Sequence, residues 1–157
     1  MFAAGSAVFD QAKTIRPQTW RWNEPRVLVE HPDESRGLAI ASGLRFAGYA
    51  VGVCPGPEGR RQCPLAGPAG CAAVDDADVV VCSLGYERET AREVLRELRT
   101  RYPATALVVE APSEVDAEMA ELLDGCYRLQ ARATAAQVVT AVQSLTSGTD
   151  HKGAARA

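Results

Sequence analysis

The residues best able to do chemistry in this sequence are five thiols, two imidazoles and one serine that closes an apolar run. Cys54, Cys63 and Cys71 share one stretch at C-x8-C and C-x7-C spacing, and Cys82 ends the run VVVC. Four thiolates brought together would hold Zn²⁺ or an iron–sulfur cluster, but the tight C-x2-C knuckle of most such sites is missing. A disulfide within the stretch is a second use of these thiols, and separate buried thiols a third. The odd count argues against a secreted disulfide framework. His31 and His151 stand alone, with no nucleophile spaced to use them. Ser83 follows the apolar run directly, yet no base is in view to activate it. The glycines of residues 56–70 lack the Lys-Ser/Thr of a phosphate loop, which argues against a nucleotide site.

Ser83 draws attention because of what positions it. The segment DDADVVVCSL reads as an acidic turn leading into a short β-branched strand, buried on both sides. In an open parallel sheet, chemistry sits just beyond the carboxyl ends of such strands. Upstream, RVLVE is a first strand and His31-Pro32-Asp33 a turn, with Asp33 placed to cap the next helix. Leu38, Ala41, Leu44 and Ala47, with Ile40 beside them, give residues 34–47 helical periodicity, and Gly48 ends it. Residues 49–53 are a second strand.

Where a crossover helix is expected next, residues 54–74 carry four prolines and four glycines and predict an irregular loop with at most one helical turn. Residues 87–102 form the clearest helix, with Ala91, Val94, Leu95, Leu98 and Tyr102 inward and Glu93–Arg96 and Glu97–Arg101 paired along it. TALVVE is a fourth strand. Ser113 caps a helix with Val115, Met119, Leu122 and Leu123 inward, and Gly125 closes it. CYRL is a fifth strand, and residues 134–145 a last helix with Ala135, Val138, Val142 and Leu145 inward. This alternation implies a flavodoxin-like, three-layer α/β/α fold. Its five-stranded parallel sheet has order 2-1-3-4-5, with a crevice between strands one and three.

A chain of 157 residues makes one domain. A net charge of −3 with interspersed signs excludes a nucleic-acid footprint and a polybasic membrane patch. No apolar run approaches the roughly 20 residues that span a bilayer, and residues 1–13 lack the features of a leader. Cytoplasm is the expected location. Residues 1–25 read as an N-terminal arm, 26–147 as the domain and 148–157 as a frayed tail. Both tryptophans, Trp20 and Trp22, lie in the arm, where they either pack on the domain or form an interface.

The segments RVLVEHPDESRGLAIASGLRFAGYAV, DDADVVVCSL, ATALVVEAP and CYRLQARATAAQVVTAV, in this order, resemble the receiver domain of bacterial response regulators. The resemblance spans residues 26–146. It implies an aspartate ending strand three that accepts a phosphoryl group, acidic residues after strand one that hold Mg²⁺, and a Thr or Ser and a Lys ending strands four and five. Carried over by position, these fall on Ser83, on Pro32 and Asp33, on Glu110 and on Ala131. Only Asp33 keeps its type. One carboxylate is a poor Mg²⁺ site, and Glu110 would repel an incoming phosphate. Each lost charge-assisted contact is worth about 1.5–3 kcal/mol, or roughly one to two decades of affinity.

The sequence therefore reads as a pseudo-receiver, not an enzyme, needing no cofactor and working by binding a protein, a second copy of itself included. Its interaction surfaces are expected at Trp20, Trp22, Val138 and Val142. The alternative is a redox or metal sensor built on Cys54, Cys63 and Cys71, with Cys82 as a fourth ligand.

Overall fold

The computed structural model describes residues 24–58 and 63–147, so Trp20, Trp22, the arm through residue 23 and the tail from residue 148 lie outside the described residues. The elements run β1 (Arg26–Glu30), α1 (Glu34–Phe46), β2 (Ala50–Cys54), α2 (Ala72–Asp75), β3 (Val79–Cys82), α3 (Glu89–Arg101), β4 (Ala106–Ala111), α4 (Ala117–Leu123), β5 (Tyr127–Gln130) and α5 (Ala135–Thr146). All strand pairings are parallel and the order is β2-β1-β3-β4-β5, as the alternation of elements implied.

Successive residues of a strand point to opposite faces, and the sheet is filled accordingly. Val27, Val29, Val79, Val81 and Val108 pack with Ile40, Ala41 and Leu44 of α1 and Val138, Ala141 and Val142 of α5. Leu28, Cys54, Val80, Cys82, Leu107 and Val109 face the other way, under α3, α4 and residues 54–75. The described residues of that last segment, 54–58 and 63–75, are largely irregular, as their prolines and glycines require. They hold two single 3-10 turns, Gly56–Glu58 and Pro64–Ala66, before the four residues of α2.

With so little regular structure, tethers hold the segment down. Arg101 donates to the carbonyls of Leu65, Gly67 and Pro68, and the Tyr102 hydroxyl accepts from the Cys71 amide at 2.9 Å. Gly70, at φ +71°, brings the backbone so close that a Cβ there would stand 2.6 Å from the Tyr102 oxygen. Glycine is the residue that accepts both conditions.

Several local expectations shift. The inward stripe of α1 is Gly37, Ile40, Ala41 and Leu44, while Leu38 is 49% exposed and Ala47 lies outside. The cap of α4 is Asp116, whose carboxylate accepts from the Met119 amide, rather than Ser113. Ser113 instead offers its carbonyl to Arg128. Arg96 pairs with Glu89 and Glu118 rather than Glu93, because α4 brings Glu118 across to α3. Glu97–Arg101 forms as expected, at 3.3 Å. Thr134 and Gln137 close a capping box at the start of α5.

Candidate functional site

The carboxyl ends of β1, β3 and β4 and the turn after β5 come together where Glu110 bonds Ser83 and the Arg132 and Ala133 amides, with His31 nearby. Glu110 is the centre of this group. The side chain is 7% exposed, and it reaches back over two strand ends at once. Oε1 accepts from the Ser83 hydroxyl at 2.9 Å. Oε2 accepts from the amides of Arg132 and Ala133 at 3.1 and 3.3 Å. One carboxylate therefore ties the end of β3 to the turn that follows β5. Arg132 adopts φ +64°, alone in the left-handed region among the described non-glycine residues. Such a conformation costs on the order of 1 kcal/mol and persists where something holds it. The Glu110 carboxylate is what holds it.

The sequence offered no base near Ser83, whereas the fold brings the Glu110 carboxylate to the hydroxyl. The other oxygen of Glu110 is already committed to the Arg132 and Ala133 amides, and among the described residues no third group bonds to the Ser83–Glu110 pair. Ala131, where the resemblance implies lysine, is exposed and brings no charge to the pocket.

Asp33 does not join this group. It is exposed and caps α1, accepting from the Arg36 amide at 3.0 Å. Register explains why. Glu30 pairs with Cys82, so the residue of β1's end that stands beside Ser83 is His31, and the Ser83 amide donates to the Glu30 carbonyl. Pro32 and Asp33 thus lie beyond the strand end, and Asp33 brings no carboxylate to Ser83. His31 is 5% exposed, and its Nδ1 accepts from the Asp33 amide at 2.9 Å. Burial, with Arg36 nearby, lowers its pKa below the ordinary value against the opposing pull of Glu110 and Asp33. A neutral imidazole accepting at Nδ1 carries its proton on Nε2. It is not a hard oxygen ligand for Mg²⁺.

Glu30 points to the opposite face. It lies in one cross-strand row with Cys54 and Cys82, wholly buried, and its Oε2 has no partner. Burial raises its pKa to about 7, with the Cys82 thiol pulling it slightly back. Neither Glu30 nor Tyr86, whose hydroxyl is likewise buried without a partner, was singled out from the sequence. A signal for Glu30 existed: it shares the parity of Leu28 in a strand buried on both faces.

The thiols divide between two places in the fold. Cys54, Cys63, Cys71 and Cys82 are all buried on the face that carries residues 54–75, and Cys126 lies half-buried at the far end of the sheet beside Arg99. Burial pushes all five thiols upward in pKa, away from the thiolate that metals and oxidants need. Among the described residues no three His, Cys, Asp or Glu side chains gather as a metal ion requires. The sensor reading has no support in this arrangement. Val138 and Val142 also need correction as contact residues, since both are fully buried beneath α5. The face α5 turns outward is Ala136, Gln137, Thr140, Gln143 and Ser144. Among the described residues no helix is long and apolar enough to cross a membrane.

Neither the protein-family models nor the curated proteins contain a match to this chain. Solved structures do match. A CheY-like response regulator receiver domain from Methanospirillum hungatei superposes with TM-score 0.63 at 11% identity, covering 83% of this chain and 99% of that one. A response regulator receiver domain from Clostridium thermocellum gives 0.60 at 16%, covering 80% and 97%. The chemotaxis protein CheY4 of Vibrio cholerae gives 0.57 at 17%, covering 78% and 98%. At such identities the likeness establishes the architecture: this chain has the CheY-like receiver fold.

Proposed function

We propose that the protein is a pseudo-receiver, a signalling module that keeps the receiver scaffold, takes no phosphoryl group and acts by binding a protein. The observation that carries this reading is the Ser83–Glu110 hydrogen bond. Where the resemblance implies an aspartate open to a phosphodonor, a serine is already bonded to a buried carboxylate. A dianionic phosphoryl group brought to Ser83 would meet that carboxylate without Mg²⁺ or lysine to offset the repulsion. The contact between β3 and the β5–α5 turn, which a phosphoryl group would otherwise supply, is supplied permanently by Glu110. The module is therefore set in one state, catalyses nothing and needs no cofactor. Its place is the cytoplasm.

The partner surface is the outward face of α5. None of the twelve residues of this helix is charged, so a protein surface, a second copy included, covers it at little desolvation cost. The test is incubation of the protein with a small phosphodonor and Mg²⁺, followed by intact mass. An unchanged mass is expected. A labile gain of one phosphoryl group overturns the proposal. Sedimentation over a range of concentrations then reports whether the partner is a second copy.

A further inference from the structure

The outer face of α1 is at odds with the rest of the described surface. Phe46 is 97% exposed and Leu38 49%, and these are the large apolar side chains left open. They stand eight residues apart, with Ser42 midway, so they share one helix face. At 1.5 Å per residue they are about 12 Å apart along the axis. Ala39 and Ala47 are exposed beside them.

The chain itself delivers an occupant to this face. The Pro25 carbonyl accepts from the Ala50 amide at 3.1 Å, which fixes the start of the domain against the turn that follows Phe46. Residues 1–23 lie upstream of this point, and the two tryptophans are three and five positions before Pro25. At up to about 3.5 Å per residue, Trp22 reaches roughly 10 Å and Trp20 roughly 17 Å from it. Phe46 ends α1 four residues before Ala50, so it stands at the end of the stripe nearer Pro25, with Leu38 further along the helix. An aromatic side chain buries roughly 150–250 Å², which suits two tryptophans to a stripe of this length.

We propose that the arm folds back on its own domain, with Trp22 against Phe46 and Trp20 further along α1 towards Leu38. The arm then shields the apolar face of α1. This inference does not depend on whether the pocket takes phosphate.

Because no other tryptophan exists in the chain, tryptophan emission of the intact protein reports on the arm alone. In the native protein the emission is expected at shorter wavelength than in the urea-unfolded chain, with weaker quenching by acrylamide. Phe46→Asp, at a position that touches no core, should move both readings to the unfolded values while the far-UV circular dichroism stays native. Leu38→Lys should move them part of the way, and it serves as the second variant should Phe46→Asp misfold. Native emission already at the unfolded position, or emission indifferent to both variants, overturns the proposal. So does a blue shift that vanishes on dilution together with a dimer in sedimentation, since the occupant would then be a second copy.

Discussion

The two faces of the sheet reach the same degree of burial by different means. On the α1/α5 side the core is aliphatic throughout, and two long helices cover it. On the other side the same strands present Cys54, Glu30 and Cys82 in a row, and residues 54–75 lie where a helix would. That irregular cover is held by a few buried side chains, Leu65 and Val74 foremost, and by the tethers from Arg101 and Tyr102. Its neighbours α3 and α4 are laced outside by Arg92 and Arg96 to Asp116, Glu118 and Glu89. The α5 exterior carries no charge at all. A helix covers a sheet by repeating one apolar face, whereas a loop needs a specific bond for each point of contact. One face therefore tolerates changes of detail, and the other depends on a few named groups.

The largest expected effect sharpens what the faces share. Leu44→Ala beneath α1 and Leu95→Ala beneath α3 each empty a fully buried site, and each should lower unfolding free energy by about 2–5 kcal/mol in denaturant titrations. Their similarity would show that both sides are close-packed. A Leu44→Ala cost well above that of Leu95→Ala would mean that the loop-covered side is loosely filled.

The pH dependence separates the faces. Burial lifts the pKa of the Glu30 carboxyl from its ordinary value of 4.5 to about 7. A raised value contributes stability that is whole below about pH 4.5 and lost as pH climbs through 7, at most on the order of 3 kcal/mol. His31, on the pocket side, is shifted down, so its contribution is present above its ordinary value and lost as pH falls through the lowered one. Glu30→Gln should abolish the alkaline loss and leave the acid limb in place. A variant that still loses stability between pH 5 and 8 would remove Glu30 as the cause.

Arg101→Ala should cost roughly 1.5–3 kcal/mol, since it strips charge-assisted bonds from three loop carbonyls. Hydrogen exchange should rise within residues 63–75 and stay unchanged in α1 and α5. The smallest effect is expected at Arg96→Ala, whose exposed partners are screened by water and salt.

The same contrast decided what was legible in the sequence. Strand order and the two clear helices, α3 and α5, followed from periodicity and from the right-handed crossover rule. The loop announced itself by its prolines and glycines, though its tethers did not, because Arg101 and the carbonyls it binds are over thirty residues apart. The resemblance put Ser83 and Glu110 at strand ends, while the bond between them was not legible because 27 residues separate the two. Asp33 stands apart from them as the exposed cap of α1, the one role its position before the helical pattern did announce. Leu38 was read as inward because it matches the spacing of Ala41 and Leu44 as well as Gly37 does. The small residue faces the sheet because Val53 and His31 approach it closely.

The link between Ser83, Glu110 and the turn after β5 is most directly probed through the amide resonances of Ser83, Arg132 and Ala133, followed while Mg²⁺ and a small phosphodonor are added. In the native protein these resonances should stay where they are, and Glu110→Gln alone should shift all three. Movement of the native resonances on adding the phosphodonor, together with a labile gain of one phosphoryl mass, would contradict a pocket closed by its own carboxylate.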